Sequence, residues 1–216
     1  AREAMAPFLE SEFHNASALY AAGRNNRLAL ETFRHEMAQS LGAKPTEIIF
    51  SAGGTEANNI AIHGVMQANQ GAKIIVSAVE HDAVLEPAKR YDHAIIPVNE
   101  QGLINAEGLE SLIDDSVALI SVMYVNNEVG SIQPLRDVVA IAAATREARK
   151  KRGITMPLYV HTDACQAGNY LDMQVGMNYA YFPTNDIYLN AGFSAMHVNR
   201  PKESFFNDES GGNNRV

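Results

Sequence analysis

Glu47-Ile-Ile-Phe-Ser-Ala-Gly-Gly-Thr-Glu-Ala-Asn-Asn59 is the stretch on which the reading of the fold turns. Its start, Glu47-Ile-Ile-Phe50, is short and apolar and predicts a strand near residues 47–51. Its end opens a helix-like run through Ile60, Ile62, Val65 and Met66, which predicts a helix over 55–67. Between the two, Gly53 and Gly54 permit a tight turn and close backbone approach. Thr55 adds a hydroxyl beside the free N–H groups of a helix N-terminus, and that combination suits a phosphate. Taken alone, Gly-Gly-Thr is more often an ordinary strand-to-helix turn. The rest of the chain decides between the two.

Upstream, Leu30, Phe33, Met37 and Leu41 recur at helical spacing and predict a helix over 26–41, with Gly42 as its stop. The opening residues, Ala1-Arg-Glu-Ala-Met-Ala6, also read as helix. Downstream, strands are predicted at 73–77, 94–98, 117–124 and 157–162, and helices at 82–91, 106–113 and 134–150. Val117-Ala-Leu-Ile-Ser-Val-Met-Tyr-Val125 is almost uniformly apolar, as a strand buried on both faces reads. Pro134 sits at the start of the last helix, with Leu135, Val138, Val139 and Ala142 on one face. Strand–helix alternation of this kind predicts an α/β fold, a three-layer α/β/α arrangement around a mostly parallel sheet.

Composition narrows the function classes. The 216 residues are 46% hydrophobic and 19% charged, ordinary for a globular domain. A formal net charge of −8 argues against a general nucleic-acid or anionic-membrane surface. The local cluster Arg146, Arg149, Lys150, Lys151 and Arg152 reads as the solvated end of a helix. Cys165 is the single cysteine, so no disulfide can form within the chain, and a cytoplasmic setting is expected. No apolar run approaches the roughly 20 residues of a membrane span, and the N-terminus lacks a signal-peptide core. The expected organisation is one large domain over 1–200, followed by a poorly ordered tail over 201–216 rich in Asn, Ser, Gly and charge. The abrupt opening reads as a fragment.

Chemically expressive residues fall where the predicted strands finish. Thr55 follows the first, Glu80-His81 the second, Asn126-Asn127-Glu128 the long apolar one, and Asp163-Ala-Cys-Gln166 the last. Each alone is ordinary. Asn-Asn-Glu is usually a turn, Asp163 could be an N-cap, and a lone histidine is more often structural than catalytic. Ligands of open parallel sheets bind at the carboxyl ends of strands, so all four at that end would line one crevice.

Together with Val79-Glu-His-Asp-Ala-Val84, Ser121-Val-Met-Tyr-Val-Asn-Asn-Glu-Val-Gly130 and His161-Thr-Asp-Ala-Cys-Gln166, the glycine stretch resembles the cysteine desulfurases. These belong to the class V branch of fold-type I pyridoxal-phosphate (PLP) enzymes. The resemblance runs from about residue 1 to residue 175. It implies that Gly54 and Thr55 hold the cofactor phosphate, and that His81 stacks on the pyridine ring and transfers protons. It implies that Asp163 pairs with the ring nitrogen and Gln166 with the phenolic oxygen, while Asn127 lies near cofactor and substrate carboxylate. It further implies L-cysteine or a similar amino acid as substrate, a homodimer and a sulfur-acceptor protein, with iron–sulfur assembly among the family's destinations for sulfur. Cys165 does not match the family's sulfur-accepting cysteine and is expected to be a small buried packing residue.

After residue 175 the resemblance breaks. The family's lysine, which anchors the cofactor covalently, falls on Asp186 here, although Ile187-Tyr188, Gly192 and Met196-His-Val-Asn-Arg200 keep the spacing of the motif. The family's sulfur-accepting loop and its first strand have no match in the chain. The expectation is a PLP-binding domain that holds its cofactor without a covalent bond and is catalytically impaired. Two alternatives stand beside it: an active desulfurase whose sequence over 176–216 is misrecorded, and a non-catalytic interaction domain that has lost PLP.

Overall fold

The structure, a computed structural model, describes residues 2–167, the side chains of Arg2 and Ala4 excepted. Asp186, the motif around it and the tail over 201–216 lie outside the described residues. Residues 2–13 belong to a different compact unit from residues 14–167. In the former, helix α1 (Arg2–Glu10) accounts for the helical reading of the opening residues.

From residue 14 onward the elements follow the predicted alternation: α2 (Ala21–Leu41), α3 (Gly54–Ala68), β1 (Lys73–Ser77), α4 (Asp82–Ala88), β2 (Asp92–Ile96), α5 (Ala106–Leu112), β3 (Val117–Ser121), α6 (Leu135–Arg152) and β4 (Tyr159–His161). Gly42 closes α2 in the left-handed conformation, φ 65°, which only glycine adopts cheaply. The strands form one all-parallel sheet in the order β2-β1-β3-β4.

Two apolar layers sandwich that sheet. On one face Ile75, Ile96, Val117 and Ile120 pack against Leu109 of α5 and Leu135, Val138 and Ala142 of α6. On the other, Ile74, Val76 and Leu119 meet Ile62 and Met66 of α3 and Val84 of α4. β3 is buried throughout, as its unbroken apolar run requires. The pairing of β1 with β3 slips between Lys73 and Ile74, which opposes Ile74 to Leu119 and lets Ala118 and Leu119 share a layer.

The structure corrects the boundaries and one whole element. The strand expected near 47–51 is absent from the sheet. Pro45–Glu47 form a 3-10 turn and residues 48–52 are irregular, with Ile49 69% and Phe50 47% exposed. A strand exists only beside a partner whose N–H and C=O groups complete its ladder, and none is offered here among the described residues. The run is held by α2 instead: the Arg34 guanidinium lies 4.8 Å from the Phe50 ring centre and donates to the Ile48 carbonyl. β2 begins two residues earlier than expected and α4 ends at Ala88. β3 stops at Ser121, although Val122 and Tyr124 still donate to the His161 and Asp163 carbonyls, at 3.1 and 2.9 Å.

Candidate cofactor site

The strand order sets the place. From β1 the chain moves outward to β2, and from β3 it moves the opposite way to β4, so the carboxyl ends of β1 and β3 diverge. A crevice opens where such connections part. There a cavity of about 650 Å³ is lined by Gly54, Thr55, His81, Asn127, Asp163 and Gln166, the six residues singled out in the sequence. That volume suits a small organic ligand.

One wall is the start of α3. The first-turn N–H groups of Gly54, Thr55 and Glu56 precede the helical ladder, which first reaches back from Ala57 to the Gly53 carbonyl. They point their partial positive charge at the cavity with the exposed Thr55 hydroxyl beside them. Neither Gly53 nor Gly54 adopts a left-handed conformation, so the turn itself does not demand glycine. Crowding does at Gly54, where an added Cβ would lie 2.4 Å from Cys165 Sγ, while the space beside Gly53 is open.

Asp163 forms the floor. It is buried, and its two oxygens are held separately: Oδ2 accepts from Asn58 Nδ2 at 2.7 Å and Oδ1 from the Cys165 N–H at 2.9 Å. Asn58, buried one turn into α3, therefore aims the carboxylate. Sequence reading passed it over, although its place three residues after Thr55 on a helix was the available signal. His81 caps α4, and its Nδ1 accepts from the Ala83 N–H at 3.0 Å, which leaves the proton on Nε2. Asn127 and Gln166 are exposed on the remaining walls.

Cys165 differs from its expected role. It is an exposed residue lining the crevice, not a buried packing residue, with its sulfur against Gly54. Shielding of the sulfur, together with the Asp163 carboxylate beside it, pushes the thiol up to about 12, so it is a poor nucleophile.

Two further buried groups stand at the carboxyl side of the sheet, Glu80 three residues past β1 and His161 at the end of β4. Glu80 Oε1 accepts from Ser77 Oγ at 2.8 Å and from the Met123 N–H at 2.5 Å, and Oε2 has no partner among the described residues. Burial, reinforced by the Asp163 charge, raises this carboxyl to about 7. His161 shares its Nδ1 with Ser121 Oγ at 2.8 Å, leaves Nε2 without a partner among the described residues, and is driven down to about 4 by burial. A second cavity, about 350 Å³ and mostly apolar, lies between residues 48–51, α3 and β4, with His161 in its lining.

The donor set fits a planar cationic ring bearing a phosphate. Helix N–H groups and a hydroxyl stand at one end, a buried carboxylate held at both oxygens forms the floor, and an exposed imidazole stands on another wall. The described residues contain no cluster of three or more side chains suited to a metal ion, and none of their helices is long and apolar enough to cross a membrane.

Comparison with known proteins points the same way. Residues 2–178 match the family model described as aminotransferase class-V. The chain is 35% identical over 208 residues to the cysteine desulfurase IscS of Dictyoglomus turgidum, covering 92% of this chain and 50% of that protein. Among solved structures, a NifS-like protein superposes with a TM-score of 0.65 at 32% identity, over 76% of this chain and 44% of the other. SspA in complex with cysteine gives 0.67 at 31%, over 76% and 46%. The chain thus spans about half the length of the relatives it matches.

Proposed function

The chain belongs to the class V aminotransferase family and is cysteine desulfurase-like; from that premise we propose that its crevice binds pyridoxal 5'-phosphate without a covalent bond. The observation that carries this reading is the convergence of the α3 N-terminus, His81 and a doubly held Asp163 on one cavity. When bound, the cofactor supplies an electron sink for charge developing on an amino-acid substrate.

The chain's own residues do the rest. The N–H groups of Gly54 and Thr55, with the Thr55 hydroxyl, hold the phosphate at the positive end of α3. Asp163 holds a proton on the ring nitrogen by pairing with it, and Asn58 keeps that carboxylate aimed. His81 presents its Nε2 proton to the cavity, covers the ring and shuttles a proton at the substrate carbon. Gln166 contacts the phenolic oxygen, and Asn127 orients the substrate carboxylate. L-cysteine or a similar amino acid is the substrate class, and a homodimer and a sulfur-accepting protein are the partners this reading calls for.

Asp186 stands where the family places its anchoring lysine. A carboxylate there cannot form the bond that an amine forms, and it repels phosphate and substrate carboxylate alike. The expected activity is therefore retained cofactor binding without desulfurase turnover. Titration of the chain with PLP, followed by borohydride treatment and a sulfide assay with cysteine, tests this. Saturable binding that borohydride does not fix, with no sulfide above a PLP-only control, is the expected result. A borohydride-fixed adduct with sulfide release would make the chain an active desulfurase. No binding would make it an interaction domain that has lost its cofactor.

A further inference from the structure

In a parallel sheet, successive N–H groups of a strand point alternately to its two neighbours. Past the end of β3, Val122 and Tyr124 donate toward β4, to the carbonyls of His161 and Asp163. The Met123 N–H faces the other way, toward β1, but the β1–β3 ladder ends at the pair Val76 and Ser121 and the two chains part there. Glu80 fills the gap. Its Oε1 receives the Met123 N–H at 2.5 Å in place of the missing strand carbonyl, and also the Ser77 hydroxyl at 2.8 Å. A second strap crosses the same gap, from Asn126 Nδ2 to the Val79 carbonyl at 3.0 Å.

These straps join the two segments that carry His81 and Asn127 to the crevice. Glu80 immediately precedes His81, and Asn126 immediately precedes Asn127. We propose that Glu80 is the positioning residue of the cofactor crevice: its carboxyl bridges the parted ends of β1 and β3 and so sets His81 opposite Asn127. This rests on the crevice being the PLP site proposed above. Glu80 does not face the cavity that would hold the cofactor, so it acts through its neighbours. Its buried Oε2, without a partner among the described residues, and its raised affinity for a proton fit a group kept for the span it makes.

The test uses the full chain as native protein and as Glu80→Gln, Glu80→Asp, Glu80→Ala and Ser77→Ala variants, each checked for native thermal unfolding. NMR signals of the His81 ring and the Asn127 side-chain amide are recorded without ligand, and each protein is then titrated with PLP. Glutamine keeps the length and the acceptor oxygen, so Glu80→Gln is expected to leave both signals native and PLP affinity within about threefold. Aspartate is one methylene too short to bridge, so Glu80→Asp and Glu80→Ala are expected to move both signals and weaken PLP by about tenfold or more. Ser77→Ala, the mildest change, is expected to move the signals part of the way. A folded Glu80→Asp with native His81 and Asn127 signals would overturn the proposal, as would a Glu80→Gln that loses as much as Glu80→Ala. If Glu80→Asp and Glu80→Ala do not fold, Ser77→Ala decides, and unchanged signals in it overturn the proposal. If native protein binds no PLP while the ligand-free signals follow the expected pattern, the cofactor reading fails and the positioning role stands.

Discussion

The two ends of the sheet handle a buried charge in opposite ways. At the amino end, Arg149 of α6 is 2% exposed. Its guanidinium donates to the carbonyls of Asp114 (2.6 Å), Val117 (2.8 Å), Met156 (3.2 Å) and Pro157 (3.2 Å). It ties α6 to the segments entering β3 and β4, and among the described residues only its Nε lacks a partner. At the carboxyl end, Glu80, His161 and Thr162 are buried, each with a polar atom that finds no partner among the described residues. One end spends its buried polarity on holding the layers together. The other keeps unsatisfied capacity at the end where the crevice opens, as functional sites do.

Removing Arg149 should break this contrast most visibly. Arg149→Met leaves carbonyls without donors at the base of two strands and should cost about 3–5 kcal/mol in chemical unfolding. Its effect on PLP affinity per folded molecule should be small. A cost below about 1 kcal/mol would mean that the amino end is not held this way.

The pH dependence of stability sharpens the comparison at the carboxyl end. His161 is about 4 when folded against an ordinary 6.5, so the folded chain carries fewer protons than the unfolded one between those values. Its contribution is complete above pH 6.5 and lost as pH falls toward 4. Glu80 is about 7 against 4.5, so its contribution is complete below pH 4.5 and lost as pH rises through 7. The two slopes oppose and nearly cancel in the native chain. Glu80→Gln should unmask a stability that rises from pH 4.5 to 6.5, and His161→Asn one that falls from 4.5 to 7, each by up to about 3 kcal/mol. Denaturant midpoints across this range measure both. A flat profile in Glu80→Gln would remove His161 from the account, and a flat profile in His161→Asn would remove Glu80.

Asp163→Ala should weaken PLP by about tenfold or more, or about 1.4 kcal/mol, with a smaller change in stability than Arg149→Met. A binding isotherm and a melting curve on the same sample separate the two. The smallest effect is expected at Gly54. The Gly54→Ala methyl meets the Cys165 sulfur, which must rotate away, so PLP binding should weaken by about 1 kcal/mol. Adding Cys165→Ala should restore much of that loss, because it removes the crowded atom. Equal affinities in the single and double variants would show that the methyl blocks the ligand and not the thiol.

How much was legible in advance differs along the chain for physical reasons. β1, β3 and the helices α3 and α6 were readable because burial on one or two faces writes a period into the sequence, and α2 from the same period although Leu30 and Phe33 are exposed. The run Ile48–Phe50 carries the same apolar signature yet forms no strand, because pairing depends on a neighbour that local pattern does not reveal. Five of the six crevice residues stood out as polar groups following apolar runs, and Gly54 as part of the glycine turn. Glu80 and Asn126 stood in the same polar clusters, but their roles did not show, and Asn58 did not stand out at all, because each acts through a contact 43 or more positions away in the chain. The exposure of Cys165 was likewise invisible, since a lone cysteine with no assigned role reads as core.

The sequence by itself determined the alternation of strands and helices, the parallel sheet, and the order in which polar residues close each strand, because these follow from local periodicity and chain direction. Only the tertiary structure decided which strands are neighbours. With that it decided where β1 and β3 part, which N–H groups are left for side chains to satisfy, and which buried carboxyl bridges the gap. Those outcomes depend on long-range pairing, where one strand's unsatisfied group becomes another segment's constraint.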